Sequence, residues 1–418
     1  MNFAILDIGS YQIKSLVAEL NRDGKLSLRD IFKEISTGIR RGEIIDNNDV
    51  IVSLEKIFKR IKENNRLALK NVFVNVGGSN IRCQNSKGIV AVSRADNEIS
   101  QEDIDRVVKA SQAIKLPPNR MIMHAITQEF VVDGIGDIRE PLGMNGTRLE
   151  VNSLIIDAFS PNVKNILNTL EKLGASVSGL IYNPLAASRS VLTKHQKDLG
   201  TVLIDIGFGT TSMSVYEEGK LLHIASFPIG SGNITRDLAI GLKCSMKLAE
   251  LIKIVFGRAI TNNISNKEKI TAELIEEKSG IDVADLDKNF KANVSSRFVA
   301  EIIESRLSEI FELINGELKA IHRFGQLPGG AIICGGGAKM PEIVNLAKSE
   351  LKLMSEIGFP ETDNFEIIQP DISNQINDPE FATALGLLYW ALDQNFKDNN
   401  WSSGERISLK KIFKYFMP

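Results

Sequence analysis

One short motif that occurs twice constrains the fold of this chain more than any other feature. Residues 4–10 (AILDIGS) and 202–210 (VLIDIGFGT) each place an apolar strand before an aspartate, and glycine and small hydroxyl residues lead into a second strand. The aspartates, Asp7 and Asp205, lie 198 positions apart. A strand–turn–strand unit repeated at that separation predicts two related halves that face each other across a cleft.

Both turns have the composition of a phosphate-binding loop. Glycine has no Cβ, so its neighbouring backbone N–H groups stay open to an anion. Lys14 adds a positive charge, whereas Asp7 and Asp205 would repel a phosphate by themselves, which predicts Mg²⁺ held between them through water. The backbone and hydroxyl donors of the two turns are Gly9, Ser10, Gly207, Gly209, Thr210 and Thr211.

A third glycine turn, Gly335–Gly336–Gly337, follows the apolar stretch AIIC (331–334) and is predicted to begin a helix. A helix N-terminus with bare backbone can face a phosphate or let a flat base lie close. On an earlier predicted helix, Glu250 and Lys253 lie one turn apart, where they can hold a ribose. Both features have ordinary alternatives, a strand-to-helix packing turn and a solvated helix face.

Several functional classes are excluded or disfavoured. The chain has no G-x-x-x-x-G-K-[ST] motif, which excludes a P-loop NTPase, and no G-x-G-x-x-G after its first strand. The four histidines, at positions 124, 195, 223 and 322, have no metal-ligand spacing and are predicted to be structural. No catalytic residue is predicted.

Composition and charge limit the location and the partners. The chain is 43% hydrophobic and 24% charged, with a formal net charge of -2, which argues against a nucleic-acid-binding body. Three dispersed cysteines without a C-x-x-C motif indicate a reduced, cytosolic chain. We see no signal peptide and no run of roughly 18 apolar residues that would span a membrane.

The last residues, SLKKIFKYFMP (408–418), predict an amphipathic helix. Residues 405–418 carry a net charge of +3, and a short polar stretch, 394–404, is predicted to be a flexible linker before them. A helix of this kind lies on an anionic membrane surface with its apolar face in the lipid. The alternative is packing on the body or in a partner's groove. The predicted membrane-binding residues are Leu409, Lys410, Lys411, Ile412, Phe413, Lys414 and Phe416.

The order of the two hairpins and the G-G-G turn resembles the actin/Hsp70/sugar-kinase ATPase superfamily. Five further stretches resemble one family within it, FtsA, the actin-like bacterial proteins that tether the tubulin-like FtsZ to the membrane. These stretches are GSNIRCQNSKGIVAVS (78–93), ISQEDIDRVV (99–108), TQEFVVDG (127–134), PLGMNGTRLEV (141–151) and PEFATALGLLYWA (379–391).

The resemblance implies an α/β fold of the actin-like ATPase type, with two related halves around a nucleotide cleft, an inserted 1C-type subdomain and a C-terminal amphipathic helix. Its implied parts are subdomain 1A (1–82 and 169–198), subdomain 1C (83–168), subdomain 2A (199–243 and 324–393), subdomain 2B (244–323), the linker (394–404) and the membrane helix (405–418).

The resemblance also implies that ATP and Mg²⁺ bind at the residues already named, with Gly230 and Gly232 as a further glycine turn. Two positions depart from the pattern. Phe208 stands where many relatives carry glycine, and Asn183 stands where Hsp70-like members begin a connecting helix with glutamate. Asparagine cannot act as a general base, so the expectation is ATP binding with at most weak ATPase activity.

The implied function is to polymerise and to hold FtsZ filaments at the inner face of the bacterial cytoplasmic membrane, at the division septum. FtsZ would bind the region 244–323, and the inserted subdomain would bind later division proteins or a neighbour in the filament. Two alternatives stay open: an adaptor similar to the pilus-assembly protein PilM, and a small-metabolite kinase of the same superfamily.

Overall fold

The computed structural model describes residues 1–21, 25–262, 264–265, 267–288, 290, 293–367 and 370–398, without the side chains of residues 370 and 394–398. The end of the predicted linker and the whole predicted membrane helix, 405–418, lie outside these residues. Within them, no helix is both long enough and apolar enough to cross a bilayer.

The first lobe is built on a six-stranded mixed sheet whose central strand carries the first aspartate motif. That strand is almost entirely buried, because the sheet is covered on both faces. It runs antiparallel to the next strand of the hairpin and parallel to β6. In order across the sheet, the strands are β11 (Val177–Tyr182), β6 (Val72–Val76), β1 (Asn2–Ile8), β2 (Gln12–Leu20), β3 (Leu26–Ile35) and β19 (Phe365–Ile367).

Helices cover this sheet. The 19-residue α1 (Asn47–Asn65) starts at Asp46, whose side chain accepts bonds from two backbone N–H groups, and its apolar face packs on β2 and β3. The remaining elements around the sheet are the two-stranded β4 (Ile39–Arg40) and β5 (Glu43–Ile44), the helix α3 (Ser160–Lys172) and the helix α12 (Pro370–Ile376).

A separate four-stranded antiparallel sheet with one helix is inserted after β6. The helix, α2 (Gln101–Ser111), begins at Ser100 with a capping box, closed by Asp103. The unit has its own small apolar core around Val107, Phe130 and Val151. In order across the sheet, the strands are β7 (Arg82–Ala91), β10 (Arg148–Phe159), β8 (Arg120–Val132) and β9 (Ile135–Ile138).

The predicted end of the inserted subdomain at residue 168 differs from the structure. Residue 168 lies inside α3, whose buried side chains Val163, Ile166 and Leu170 belong to the core of the first lobe. The inserted unit therefore ends with β10. The sequence pattern did not reveal this limit because α3 follows β10 without an intervening loop.

The second lobe repeats the arrangement of the first. Its central strand forms an antiparallel hairpin with its successor and pairs in parallel with β17 on the other side, as β1 does with β2 and β6. In order across the sheet, the strands are β14 (Lys220–Phe227), β13 (Thr211–Glu217), β12 (Thr201–Ile206), β17 (Ala331–Cys334) and β18 (Ser355–Ile357).

Helices and one small two-stranded antiparallel sheet complete the second lobe. Its core is rich in isoleucine and leucine, and the long buried face of α10 contributes Ile303, Leu307 and Ile314. These elements are α5 (Lys194–Leu199), α6 (Ser231–Leu242), α7 (Met246–Phe256), α8 (Ala272–Ser279), α9 (Val283–Leu286), α10 (Ser296–Ala320), α11 (Ile343–Leu351), β15 (Lys269–Thr271) and β16 (Asn293–Ser295).

Two helices join the lobes by packing on each other. The helix α4 (Asn183–Val191) contacts β12 and β13 of the second sheet, and α13 (Ala382–Asp398) contacts β1 and β6 of the first. We predicted a flexible linker from residue 394, but α13 continues to Asp398, so the first five residues of the predicted linker are helical. No proline or glycine lies between Gly386 and Asp398 to end the helix earlier.

Candidate functional site

A cavity of about 310 Å³ lies between the lobes, where the two aspartate hairpins meet the third glycine turn. Three of the predicted binding residues, Thr211, Gly230 and Gly232, do not line it. The predicted residues that do are Asp7, Gly9, Ser10, Lys14, Asp205, Gly207, Gly209, Thr210, Glu250, Lys253, Gly335, Gly336 and Gly337.

Asp7 and Asp205 enter this cavity from equivalent positions, one residue before the ends of β1 and β12. Asp7 accepts a hydrogen bond from the Asn75 amide at 2.9 Å, and Lys14 Nζ lies 3.4 Å from its other carboxylate oxygen. Asp205 accepts one from the Thr383 hydroxyl at 3.4 Å.

Burial shifts the titration of both carboxyl groups. It raises the pKa of Asp7, although Lys14 acts against the shift. Burial and then the charge of Asp7 raise the pKa of Asp205 to about 6. The Asp7 charge therefore disfavours the charged form of Asp205 across the cleft, and a cation between them would relieve that repulsion.

The donor set fits a hard divalent cation that keeps most of its water. Two carboxylates with hydroxyl groups nearby match the few protein ligands that Mg²⁺ takes at phosphate sites. Among the residues that the structure describes, no cluster of three or more His, Cys, Asp or Glu side chains forms a complete metal cage. Asp7 and Asp205 are thus the residues that would hold Mg²⁺, with phosphate and water as its other ligands.

The turns of the two hairpins have the same backbone geometry. Gly9 N donates to Gln12 O at 3.1 Å, and Gly207 N donates to Thr210 O at 2.9 Å. Strand alternation then explains why Thr211 does not line the cavity. Its side chain is fully buried, with an Oγ1 that has no hydrogen-bond partner in the described structure, and Ser212 faces the cavity instead.

Gly230 and Gly232 lie behind the second hairpin and support it. Gly232 N donates to Phe208 O at 2.8 Å. A Cβ on Gly230 would lie 2.5 Å from Gly207 O, and one on Gly232 would lie 2.7 Å from the Phe208 ring. Only glycine permits this approach, so these two residues position the hairpin rather than line the cavity.

Glu250 and Lys253 lie on α7 at the edge of the cavity and bind each other. Lys253 Nζ donates to Glu250 Oε2 at 2.6 Å and to Thr235 Oγ1 at 3.0 Å. Burial lowers the pKa of Lys253, although Glu250 acts against the shift. The pair presents a fixed polar group beside the glycine turn, suited to the hydroxyl groups of a sugar.

The third glycine turn continues as a short 3₁₀ segment, Gly336–Lys339, and the α-helix begins only at Ile343. We predicted a helix directly at the glycines, but Pro341 interrupts the segment. Gly335 has φ +83°, and its N–H donates to Pro379 O at 2.9 Å. Gly336 has open space on its Cβ side, so its backbone offers a flat surface to a ligand.

Sequence reasoning missed a charged group at the cavity wall. Glu380 lies at the start of the segment that leads into α13 and pairs with Lys33 of the first lobe at 2.6 Å and with Lys339 of the second at 3.4 Å. Burial of Glu380 would raise its pKa. The positive charges of the two lysines and of Lys14 outweigh that effect, so the pKa of Glu380 is lowered overall. Its position within PEFAT gave no signal of this role, because both partners are distant in sequence.

Asn183 lines the cavity at the first turn of α4. Its Oδ1 is buried and has no hydrogen-bond partner in the described structure. The amide can orient a water molecule or a phosphate oxygen, but it cannot accept a proton as a general base.

Two lobes with repeated aspartate hairpins, a glycine turn and a cleft between them define the class of actin-like ATPase folds. Solved structures of this fold match nearly the whole chain. A PilM–PilN type IV pilus biogenesis complex matches with a TM-score of 0.64 at 16% identity, covering 93% of this chain and 98% of that one. MreB5 of Spiroplasma citri, bound to ADP, matches with a TM-score of 0.53 at 15% identity, covering 96% and 99%.

Sequence comparisons give the family. A model of cell division protein FtsA matches residues 202–386, and one of the SHS2 domain inserted in FtsA matches residues 78–157. FtsA of Bacillus subtilis (strain 168) is 32% identical over 389 residues, covering 93% of this chain and 83% of that protein. FtsA of Neisseria meningitidis serogroup B is also 32% identical, and the match covers 93% of this chain and 89% of that protein. The chain belongs to the FtsA family of cell division proteins.

These comparisons confirm the predicted family and fold class. The SHS2 match, 78–157, coincides with the inserted sheet and stops before α3, in agreement with the packing of that helix on the first lobe. The roles of the individual cavity residues stay predictions.

Proposed function

We propose that this protein binds Mg²⁺–ATP in the cleft, assembles into filaments and holds FtsZ at the cytoplasmic face of the bacterial inner membrane, at the division septum. The observation that carries the nucleotide part is the pair of facing aspartates on equivalent hairpins, Asp7 and Asp205, in a cavity lined by three glycine turns. The family supports the division role.

The phosphates would lie between the two hairpins. Backbone N–H groups of the turns and the Lys14 ammonium group would bind their oxygens, and Mg²⁺ would neutralise charge between the phosphates and the two aspartates. The adenosine would lie against Gly336 and the Glu250–Lys253 pair. MreB5 has the same fold and was solved with ADP. This supports the proposal of a nucleotide in this cleft.

Hydrolysis would be weak at best. The acids that line the cavity would all be engaged: Asp7 and Asp205 by Mg²⁺, Glu250 by Lys253, and Glu380 by two lysines. Asn183 is an amide and cannot accept a proton from water. Slow turnover suits a protein that uses nucleotide to set its assembly state rather than to perform chemistry.

Membrane attachment would come from residues 405–418. Four apolar side chains on one helical face can enter the lipid, and three lysines can bind anionic headgroups. The cost of ordering the segment offsets most of this gain for a single molecule. A filament that carries many such tails would attach firmly through multivalency, so filament assembly and a weak anchor support each other.

FtsZ would bind the helical region 244–323, which holds α7 to α10. The inserted sheet is free to bind later division proteins or the next subunit of a filament. An adaptor function similar to that of PilM remains the second candidate, since the PilM–PilN complex has the same fold. The lysine-rich tail favours the membrane role over it.

Replacing Asp205 tests the nucleotide site. Mg²⁺ should raise the ATP affinity of the wild type by about tenfold or more. Asp205→Asn should abolish this increase, because one of the two carboxylates that hold the cation is lost. Without Mg²⁺ the variant should bind ATP no more weakly than the wild type, since a repulsive charge is also lost. Isothermal titration calorimetry with and without Mg²⁺ measures both effects.

The control for that experiment is Asp363→Asn, which removes an exposed carboxylate away from the cavity and should leave both affinities unchanged. A wild-type protein with no measurable ATP affinity would overturn the nucleotide proposal. An Asp205→Asn variant that keeps the full Mg²⁺ effect would overturn the assigned cation site.

Removing residues 405–418 tests the membrane role. Full-length protein should sediment with anionic liposomes, more strongly with ATP than without, and should bring FtsZ into the pellet. The truncated protein should stay in the supernatant and still bind ATP. Replacing Lys410, Lys411 and Lys414 by alanine should reduce recovery on anionic liposomes. Equal recovery of full-length and truncated protein would exclude the membrane helix.

A further inference from the structure

We infer that Tyr11 and Phe208 form an aromatic clasp across the cleft that retains the phosphates of a bound nucleotide between the two hairpins. This inference rests on the proposed nucleotide binding and adds the residues that control release. Tyr11 belongs to the first lobe and Phe208 to the second, and both line the cavity.

The two rings are in direct contact. Their centroids are 5.0 Å apart, and their planes are inclined by 35°. That distance lies within the range in which aromatic pairs attract beyond simple burial. Tyr11 lies directly before β2, and Phe208 lies in the turn between β12 and β13, so the contact joins the tips of the two equivalent hairpins.

The Phe208 ring and the backbone of Tyr11 are each held within their own lobe. The Phe208 ring packs on Gly232, with no room for a Cβ, and Lys253 Nζ lies 5.5 Å from its centroid. The backbone of Tyr11 is bound to the end of β3, because Ser36 N donates to Tyr11 O at 2.9 Å. Since Tyr11 is anchored to the first lobe and Phe208 to the second, separating the lobes would pull the two rings apart.

A second contact lies beside the rings. A Cβ on Gly209 would lie 2.7 Å from Ser10 Oγ and 3.0 Å from Arg41 N, so the hairpin tips approach as closely as glycine allows. Gly42 N donates to Ser10 Oγ at 2.9 Å and holds that side chain in place. The tips therefore touch at two adjacent points.

The position of the clasp relative to the aspartates gives its role. Asp7 is 6% exposed, whereas Tyr11 is 42% exposed, so in the first hairpin the carboxylate lies deeper in the cleft than the ring. Phosphates bound at the aspartates would lie behind the ring pair, and they would leave when the lobes part. A glycine at position 208 would not make this contact, so the clasp is a property of this chain rather than of the shared hairpin motif.

Release of a fluorescent nucleotide tests the clasp. With N-methylanthraniloyl-ATP and Mg²⁺ in stopped flow, Tyr11→Ala and Phe208→Ala should each release the probe about three- to tenfold faster than the wild type, the factor expected for loss of an aromatic pair. The double variant should release it no faster than the faster single variant, because both changes remove the same contact. Tyr11→Phe keeps the aromatic ring and should release the probe as slowly as the wild type.

The control is Phe359→Ala, which removes a half-exposed aromatic ring outside the cavity and should release the probe at the wild-type rate. Circular dichroism checks the fold of each variant. If Phe208→Ala does not fold, Tyr11→Ala decides alone, since the Tyr11 side chain is partly exposed and its removal leaves no buried cavity. Wild-type release rates in both alanine variants would overturn the clasp, and so would effects that multiply in the double variant. A wild-type protein that binds no probe would instead overturn the proposed nucleotide function.

Discussion

At the scale of single residues, the two hairpins are equivalent in backbone but not in charge. Asp7 lies opposite Lys14 in the β1–β2 pairing, whereas Asp205 lies opposite Ser212 in the β12–β13 pairing. The first half therefore supplies its own counter-charge and the second half does not. Burial and the charge of Asp7 raise the pKa of Asp205 to about 6, although Lys14 of the first half and the Thr383 hydroxyl act against the shift.

His124 makes stability depend on pH. It lies on β8 with 1% of its surface exposed, and its Nε2 accepts a hydrogen bond from Tyr182 N at 3.1 Å. Burial lowers the pKa of His124 to about 3. Since that pKa lies below the unfolded value, the contribution of the neutral ring is complete above about pH 6.5 and is lost as the pH falls from there toward 3.

We predict that the wild type loses about 2 kcal/mol of stability between pH 6.5 and 5 through this group. His124→Gln should be less stable at pH 7 but should lose less on acidification. Thermal unfolding at pH 5, 6 and 7 measures the difference, with His195→Gln as an exposed control. Parallel pH profiles for the wild type and His124→Gln would contradict the prediction.

At the scale of secondary structure elements, α4 and α13 cross so closely that a glycine is required at their contact. A Cβ on Gly386 would lie 1.8 Å from Ala186 O. The two helices therefore pack backbone to backbone, which brings the second-lobe sheet and the first-lobe sheet close enough to share buried residues such as Leu203 and Ile332.

Adding one methyl group at this crossing should force the helices apart. We expect Gly386→Ala to lower the free energy of unfolding by about 1–3 kcal/mol or more, as overpacking typically does. Gly316→Ala is the matched control in α10, because no atom lies within 4 Å of the added Cβ. There alanine should raise stability by up to about 1 kcal/mol, through its better helix propensity.

Urea unfolding of the two glycine variants and the wild type measures these changes. Opposite signs for the two positions would support the packing argument. A neutral effect of Gly386→Ala would mean that the helices can shift without cost, and the rigid crossing would have to be abandoned.

At the scale of the whole molecule, the inserted sheet links the lobes outside the cleft. It is inserted in the chain of the first lobe. Lys220 on β14 of the second lobe nevertheless pairs with Asp137 at 2.6 Å and with Glu129 at 3.4 Å. Gln128 Nε2 also donates to Leu221 O at 2.8 Å. A rotation of the lobes that opens the cleft would have to change these contacts.

Local sequence determined the parts of this protein that depend on neighbouring residues. The aspartate and glycine turns, the buried strands before them and the capping box at Ser100 follow from residue types within a few positions of one another, because turn geometry and strand burial are set locally. The repeat of the hairpin also predicted two facing halves, and the family stretches predicted the inserted sheet.

Only the tertiary structure decided which side chains meet across the lobes. The Tyr11–Phe208 contact and the placement of Glu380 between Lys33 and Lys339 join residues hundreds of positions apart or on different lobes. The limit of the inserted unit before α3 likewise depends on what that helix packs against. No local pattern encodes such neighbours, because they are fixed by how the two sheets dock on α4 and α13.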